Sequence, residues 1–176
     1  MSYLFPLFYL SLVTSLLFIL DLTLTRQLYI LYVQQKDYVY YLTRIQNDTA
    51  SAEDYYLFSL ICIGKKELDN ALLNLKIVIF RTKNQNTGLF LESLITLAQI
   101  YESLNYYTQA TKFYDQALSL DEENIKILQK LAYLFEKNQN FTKSIQLYKK
   151  ILSYESDNKF ATKGVERVNR INNQSG

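Results

Sequence analysis

Residues 91–158 read LESLITLAQIYESLNYYTQATKFYDQALSLDEEN and then IKILQKLAYLFEKNQNFTKSIQLYKKILSYESDN, one pattern written twice in immediate succession. In this register Leu94 falls on Leu128, Leu97 on Leu131, Ala98 on Ala132, Tyr101 on Phe135, and Tyr107 on Phe141. Ala110 and Ser144, Tyr114 and Tyr148, Ala117 and Ile151, and Leu118 and Leu152 continue it. Within a unit, positions 94, 97, 98 and 101 are spaced as one face of a helix, and 107, 110, 114, 117 and 118 repeat that spacing after a short gap. The pattern predicts two amphipathic helices per unit, with turns at Leu104-Asn105-Tyr106 and Asn138-Gln139-Asn140, where asparagine tolerates helix-ending backbone angles. Small residues at 98, 110, 132 and 144 let antiparallel helices approach, and Tyr101, Tyr114, Phe135 and Tyr148 fill the space around them.

A helix-turn-helix period of this length, with small residues placed within it, resembles the tetratricopeptide repeat, so an all-α, right-handed α-solenoid is the expected fold. The proline that commonly closes each repeat is absent. Glu122 and Ser156 stand in its place, so acidic and Ser/Asn caps must break the helices instead. A weaker unit precedes these two, with Tyr55, Phe58, Ser59 and Cys62 on its first helix and Leu68, Ala71, Leu75, Val78 and Ile79 on its second. The step from Ala71 to Ala110 is longer than the period by five positions, which places the extra residues in the Thr82–Gly88 connection. Three units, 52–85, 91–124 and 125–158, are about the minimum for a solenoid, because each buries its face only against its neighbours. Beyond Lys159 one polar helix with Phe160, Val165 and Val168 is expected to cap the array over 159–176, with Asn172 to Gly176 fraying.

Tyr3 to Leu20 carries no charge, and two-thirds of the stretch is Leu, Ile, Val or Phe. At 1.5 Å per residue, a helix of about 18 to 22 residues covers about 27 to 33 Å, the thickness of a bilayer core. Residues 1–25 are therefore expected to form a membrane anchor, with Asp21 near an interface. A cleaved secretory signal and a buried core helix are the alternatives. The first wants a basic start, which is missing here. The first positive charges, Arg26, Lys36 and Arg44, follow the span, so the repeats should remain on the side of synthesis. Residues 26–51 read as a juxtamembrane helix and linker, with Tyr29, Tyr32, Tyr38, Tyr40 and Tyr41 suited to a headgroup layer or to packing, and with Ser51 and Asp54 able to cap the next helix.

Composition narrows function by exclusion. A net charge of +2 offers no field for nucleic acid. The chain has no histidine and one cysteine, which removes the usual general base and any ordinary zinc site, so neither an enzyme, nor a cofactor, nor a small-molecule substrate is expected. Gly64-Lys65-Lys66 lacks the pattern of a phosphate loop and reads as a helix-helix turn. Lys159, Lys163, Arg167 and Arg170 form a basic stripe, read either as a solvated capping face or as a contact for anionic lipid or an acidic partner.

One apolar N-terminal span, three repeats, a length of 176 residues and a Tyr/Asn/Ile/Lys bias together resemble hypothetical chloroplast reading frame thirty-seven. That family comprises membrane-anchored tetratricopeptide proteins of red-lineage plastids and cyanobacteria implicated in photosystem I assembly. The resemblance implies a scaffold at the stromal face of the thylakoid membrane whose partners are photosystem I subunits or assembly intermediates. A bacterial membrane-anchored adaptor for an envelope or secretion complex, on the cytoplasmic side, and a regulatory subunit of a membrane enzyme are the competing readings. In repeats of this kind the first helices line a partner-binding groove, which places Tyr56, Leu60, Gln99, Gln129, Tyr133, Lys163 and Arg167 in it by position. These do not match the Lys/Asn arrangement by which chaperone-binding repeats clamp a terminal carboxylate.

Overall fold

A computed structural model describes residues 4–85 and 88–174, so expectations resting on Tyr3, Asn86, Ser175 and Gly176 fall outside the described residues. All the described elements are helices: α1 (Leu4–Gln46), α2 (Ala52–Gly64), α3 (Leu68–Thr82), α4 (Gly88–Ser103), α5 (Tyr107–Leu118), α6 (Ile125–Lys137), α7 (Phe141–Tyr154) and α8 (Lys159–Gln174). They divide into two units, residues 1–50 and 51–176.

The first unit is one uninterrupted helix of 43 residues, about 64 Å long at 1.5 Å per residue, so the apolar stretch and the tyrosine-rich stretch after it are continuous. Pro6 lies in the first turn, where a missing N–H forfeits no helical hydrogen bond. The hydroxyls of Ser11, Thr14, Ser15, Thr23 and Thr25 all donate to carbonyls three or four residues back, at 2.6–2.9 Å. These bonds let the hydroxyls sit in an apolar segment without an orphaned donor. By length and composition α1 is able to cross a membrane.

The second unit is built of hairpins, α2 on α3, α4 on α5 and α6 on α7, stacked in chain order and closed by α8 on α7. Buried clusters straddle successive hairpins. Leu94, Ala98, Ala110, Tyr114 and Ala117 pack with Ile127, Leu131 and Leu134 of the next unit. Leu128, Ala132, Tyr148 and Ile151 pack with Ala161 and Val168 of α8. At the small positions the helices approach closely enough for Ser144 Oγ to donate to the Ala132 carbonyl at 2.9 Å. Ser51 and Asp54 form a reciprocal capping box at α2, with Ser51 N–H donating to Asp54 at 2.7 Å and Asp54 N–H to Ser51 Oγ at 3.2 Å. Where proline is absent, asparagine breaks the chain: the side chains of Asn124 and Asn158 accept from Ile127 N–H at 3.1 Å and Ala161 N–H at 3.0 Å.

Two details differ from the sequence reading. The five extra residues do not lengthen the loop, because α3 runs to Thr82 and α4 begins at Gly88, whereas α5 ends at Leu118 and α6 begins at Ile125. Both helices are extended instead, and Thr82 is buried with its hydroxyl bonded to the Val78 carbonyl at 2.8 Å. In addition α8 continues to Gln174, past the point where fraying was expected.

All three hairpins turn through the same left-handed residue: Lys66 (φ 62°), Asn105 (φ 62°) and Gln139 (φ 59°). The following N–H reaches back by more than a turn in each, Glu67 to Cys62 and Tyr106 to Tyr101 at 2.9 Å, and Asn140 to Phe135 at 2.8 Å. This is the Schellman arrangement. In the third hairpin the strained position falls on Gln139 and not on either flanking asparagine, and in the first on Lys66 and not on Gly64. The register of the long backward bond fixes the position, whatever residue occupies it. The conformation costs a residue with a Cβ about 1 kcal/mol, so Gln139→Gly is expected to stabilise the repeat unit by about that amount, read as a higher thermal midpoint.

The sole cysteine, Cys62, is fully buried in α2, and burial, with Glu67 nearby, pushes its thiol up to about 11. At neutral pH the thiolate is roughly a hundredfold scarcer than for a free thiol. Iodoacetamide is therefore expected to leave the native chain unmodified and to label it once it is denatured.

Candidate functional site

α4 and α6, the first helices of the second and third units, are separated by a hollow of about 530 Å³ that Phe160 of α8 borders at one side. Buried Ile127 and Tyr114 and half-buried Ile95 line it together with Gln99, Gln129, Tyr133, Lys126 and Asn124. A shallower hollow of about 480 Å³ continues past Gln99, Glu102, Lys130 and Tyr133 to Asn105 and Tyr107. The surface is amphiphilic: aromatic and aliphatic faces with amide groups able to both donate and accept.

Three of the residues assigned to the groove from sequence, Gln99, Gln129 and Tyr133, line one hollow together. Tyr56 is half-buried and Leu60 exposed on α2, and neither lines it. Lys163 is exposed on α8. Arg167 is engaged within the fold, where it donates to Glu136 through Nε at 2.6 Å and Nη2 at 2.8 Å, and to the Tyr148 hydroxyl at 3.3 Å. One cation of the basic stripe is thereby committed to the capping helix.

Glu102, Lys130 and Lys126 were not singled out by the sequence reading, and Phe160 was expected in the cap and not beside the hollow. Glu102 and Glu136 stand one repeat period apart and do the same work in successive units. Tyr114, on the second helix, donates to Glu102 at 3.1 Å, and Lys130 of the next unit donates to the same carboxylate at 3.0 and 3.1 Å. Tyr148 donates to Glu136 at 2.9 Å, and Arg167 completes that set. Each carboxylate thus ties both helices of its own unit to the first helix of the next. The paired recurrence of Glu and Tyr at the repeat period was the available signal.

Protonation follows from these contacts. Arg167 holds the Glu136 carboxyl below the usual carboxylate range, with the Tyr148 hydroxyl adding to the effect. Burial first, and then the facing glutamate, push the Tyr114 and Tyr148 phenols well above their ordinary value, so both remain hydrogen-bond donors at any physiological pH.

Sequence comparison matches residues 91–124 and 125–158 to the tetratricopeptide repeat family. Over the longer chain, ycf37 of Guillardia theta is 30% identical across 171 residues, covering 92% of this chain and 91% of that protein. The chain belongs to the ycf37 family. The ycf37 protein of Porphyra purpurea is 29% identical over 160 residues, covering 89% of this chain and 92% of its own. These relatives are hypothetical chloroplast reading frame 37 proteins of plastids. Among solved structures, MamA superposes with a TM-score of 0.65 at 15% identity, covering 76% of this chain and 75% of that one. The first tetratricopeptide domain of Spaghetti (RPAP3), bound to an HSP90 peptide, superposes at 0.56 with 14% identity, covering 68% of this chain and 91% of that domain. At such identities the structural likeness establishes the fold alone, and for this ycf37 chain that fold is a helical solenoid of tetratricopeptide type.

Proposed function

We propose that the chain is a non-enzymatic, membrane-anchored scaffold whose repeats bind protein partners while photosystem I is assembled or stabilised at the thylakoid membrane. The observation that carries the binding reading is the amphiphilic hollow between α4 and α6, with Gln99, Gln129 and Tyr133 in its lining. Amide side chains satisfy the backbone of an extended or helical guest, and the aromatic faces supply area at low entropic cost. Tyr56 and Leu60 on α2 and Lys163 and Arg167 on α8 are the proposed ends of the same groove.

The assembly role rests on membership of a plastid family together with an apolar N-terminal helix. Arg26, Lys36 and Arg44 following the apolar stretch favour a translocated N-terminus and repeats on the stromal side. Confinement to the membrane plane raises the local concentration of partners inserted there, so a modest groove affinity suffices.

The test is crosslinking and mass spectrometry on native membranes carrying a tagged copy. Retention through an alkaline wash with photosystem I subunits crosslinked is the expected result. Retention with other partners overturns the photosystem I assignment, and release by the wash overturns the anchor. Gln99→Ala with Tyr133→Ala is expected to remove the crosslinks while leaving the helical content unchanged.

A further inference from the structure

The charges that line the hollow between α4 and α6 do not cancel. Glu102, the acidic residue of the lining, is spent on Tyr114 at 3.1 Å and on Lys130 at 3.0 Å. Lys126, the other cation of the lining, is exposed and makes no hydrogen bond or ion pair among the described residues. The same excess continues on α8, where Arg167 is taken by Glu136 while Lys163 is exposed and has no such partner among the described residues. Glu92, one repeat period before Lys126, does not line the hollow. One positive charge is therefore left over in the lining itself.

The polar groups beside it divide in the same way. The Gln99 and Gln129 amides and the Tyr133 hydroxyl make no hydrogen bond among the described residues. The Asn124 amide is consumed in the cap of α6, where it donates to Asp121 at 2.8 Å and accepts from Ile127 N–H at 3.1 Å. A clamp on a chain terminus needs several donors converging on one carboxylate, and Asn124 has none to give. A phosphate group draws on several cations or on an arginine fork, and Lys126 is a single point charge. One carboxylate side chain matches one ammonium.

Apolar surface adjoins that charge. Phe160 stands one period after Lys126, is 42% exposed, and packs edge-to-face on Tyr148 with ring centroids 5.8 Å apart. Along α6, Lys126 and Tyr133 are seven residues apart on one face, which is about 10 Å at the helical rise. An extended guest covers that distance in about three residues.

We infer that the hollow takes an internal segment of a partner protein in which an acidic side chain stands next to a large apolar one. The carboxylate meets Lys126, and the apolar side chain packs against Ile95, Ile127 and Phe160. Gln99, Gln129 and the Tyr133 hydroxyl pair with the backbone of the guest, which fixes its direction without reading its sequence. The charge supplies selection: a basic segment meets an unscreened ammonium, and a wholly apolar one leaves that ammonium without a partner. This inference rests on the binding reading proposed above and adds to it the chemistry of the guest.

The test is selection from a phage library of random short segments, displayed so that no free carboxyl terminus is offered, against the full chain in nanodiscs. The expected winners carry Asp or Glu beside Leu, Ile or Phe, and end-capped synthetic copies of them lose binding to the Gln99→Ala, Tyr133→Ala double variant. Lys126→Glu is expected to weaken those peptides about tenfold. Replacing the acidic residue of the peptide by lysine should restore binding to that variant and to no other. Lys126→Gln should flatten the salt dependence of binding. Both variants should keep the parent's circular dichroism, because Lys126 is exposed and holds nothing. Winners that depend on Gln99 and Tyr133 but carry no acidic residue, or whose affinity Lys126→Glu leaves unchanged, overturn the inference and leave the binding reading standing. A selection that yields no segment dependent on Gln99 and Tyr133 overturns both.

Discussion

Gly164→Ala is expected to destabilise the repeat unit by about 2 kcal/mol, although alanine is the better helix former by about 1 kcal/mol. Gly164 lies in the interior of α8 with a negative φ, so backbone freedom does not explain it. Space does. A Cβ there would overlap Cζ of Tyr148 and lie 2.6 Å from both Cε atoms. The ring has nowhere to go, because Tyr148 is fully buried and its hydroxyl is bonded to Glu136 and to Arg167. Either α8 lifts from the array or the ring abandons its partners. The expected reading is a thermal midpoint lower by about 5 °C for the full chain in detergent. Tyr148→Leu supplies the control: with the ring removed, the same Gly164→Ala change should stabilise by its helix propensity alone. A penalty that stays the same in that background would mean that the ring is not its cause.

Position 164 also shows what was legible in the chain and what was not. The hairpins, their turns and their small-against-large packing follow from periodicity, because each apolar position repeats in its neighbour and the copies vote together. The cap has no second copy. Of Phe160, Val165 and Val168, expected to cover the last face, Val168 is buried and Val165 packs against its cluster, but Phe160 stays 42% exposed on the rim of the hollow and the unforeseen Ala161 and Gly164 are buried. Counting back one period explains this. Ala161 and Val168 stand where Ile127 and Leu134 meet the preceding unit, whereas Thr162 and Glu166 stand where Leu128 and Ala132 would meet a following helix. Since the described chain gives α8 no hairpin partner, that second face is polar and exposed. Of the residues that line the hollow, the sequence named three. Gln99, Gln129 and Tyr133 follow from position in the repeat, but Arg167 depends on a carboxylate 31 residues away, which no local pattern announces.

That carboxylate is the second sensitive point, and Glu136→Ala is expected to cost about 2 to 3 kcal/mol. The change removes the acceptor of the buried Tyr148 hydroxyl, and an unsatisfied buried donor costs about 1 to 3 kcal/mol. It also removes the two-pronged contact with Arg167, which counts for less because the arginine side chain is 44% exposed to solvent. Glu136→Gln separates the two contributions, since the amide oxygen still accepts from Tyr148 while the charge is gone, and about 1 kcal/mol should be lost. The pH dependence carries a definite sign. The Glu136 carboxyl is held below its usual range in the folded chain, chiefly by Arg167, so the native state binds its proton less readily than the unfolded state does. Its contribution is complete above the ordinary glutamate value of about 4.3 and disappears as pH falls through the lower folded value. Thermal midpoints of the parent and of Glu136→Gln should therefore differ at pH 7 and converge under strongly acidic conditions. A gap that persists undiminished in acid would show that the charge of Glu136 is not what holds α8 on the array.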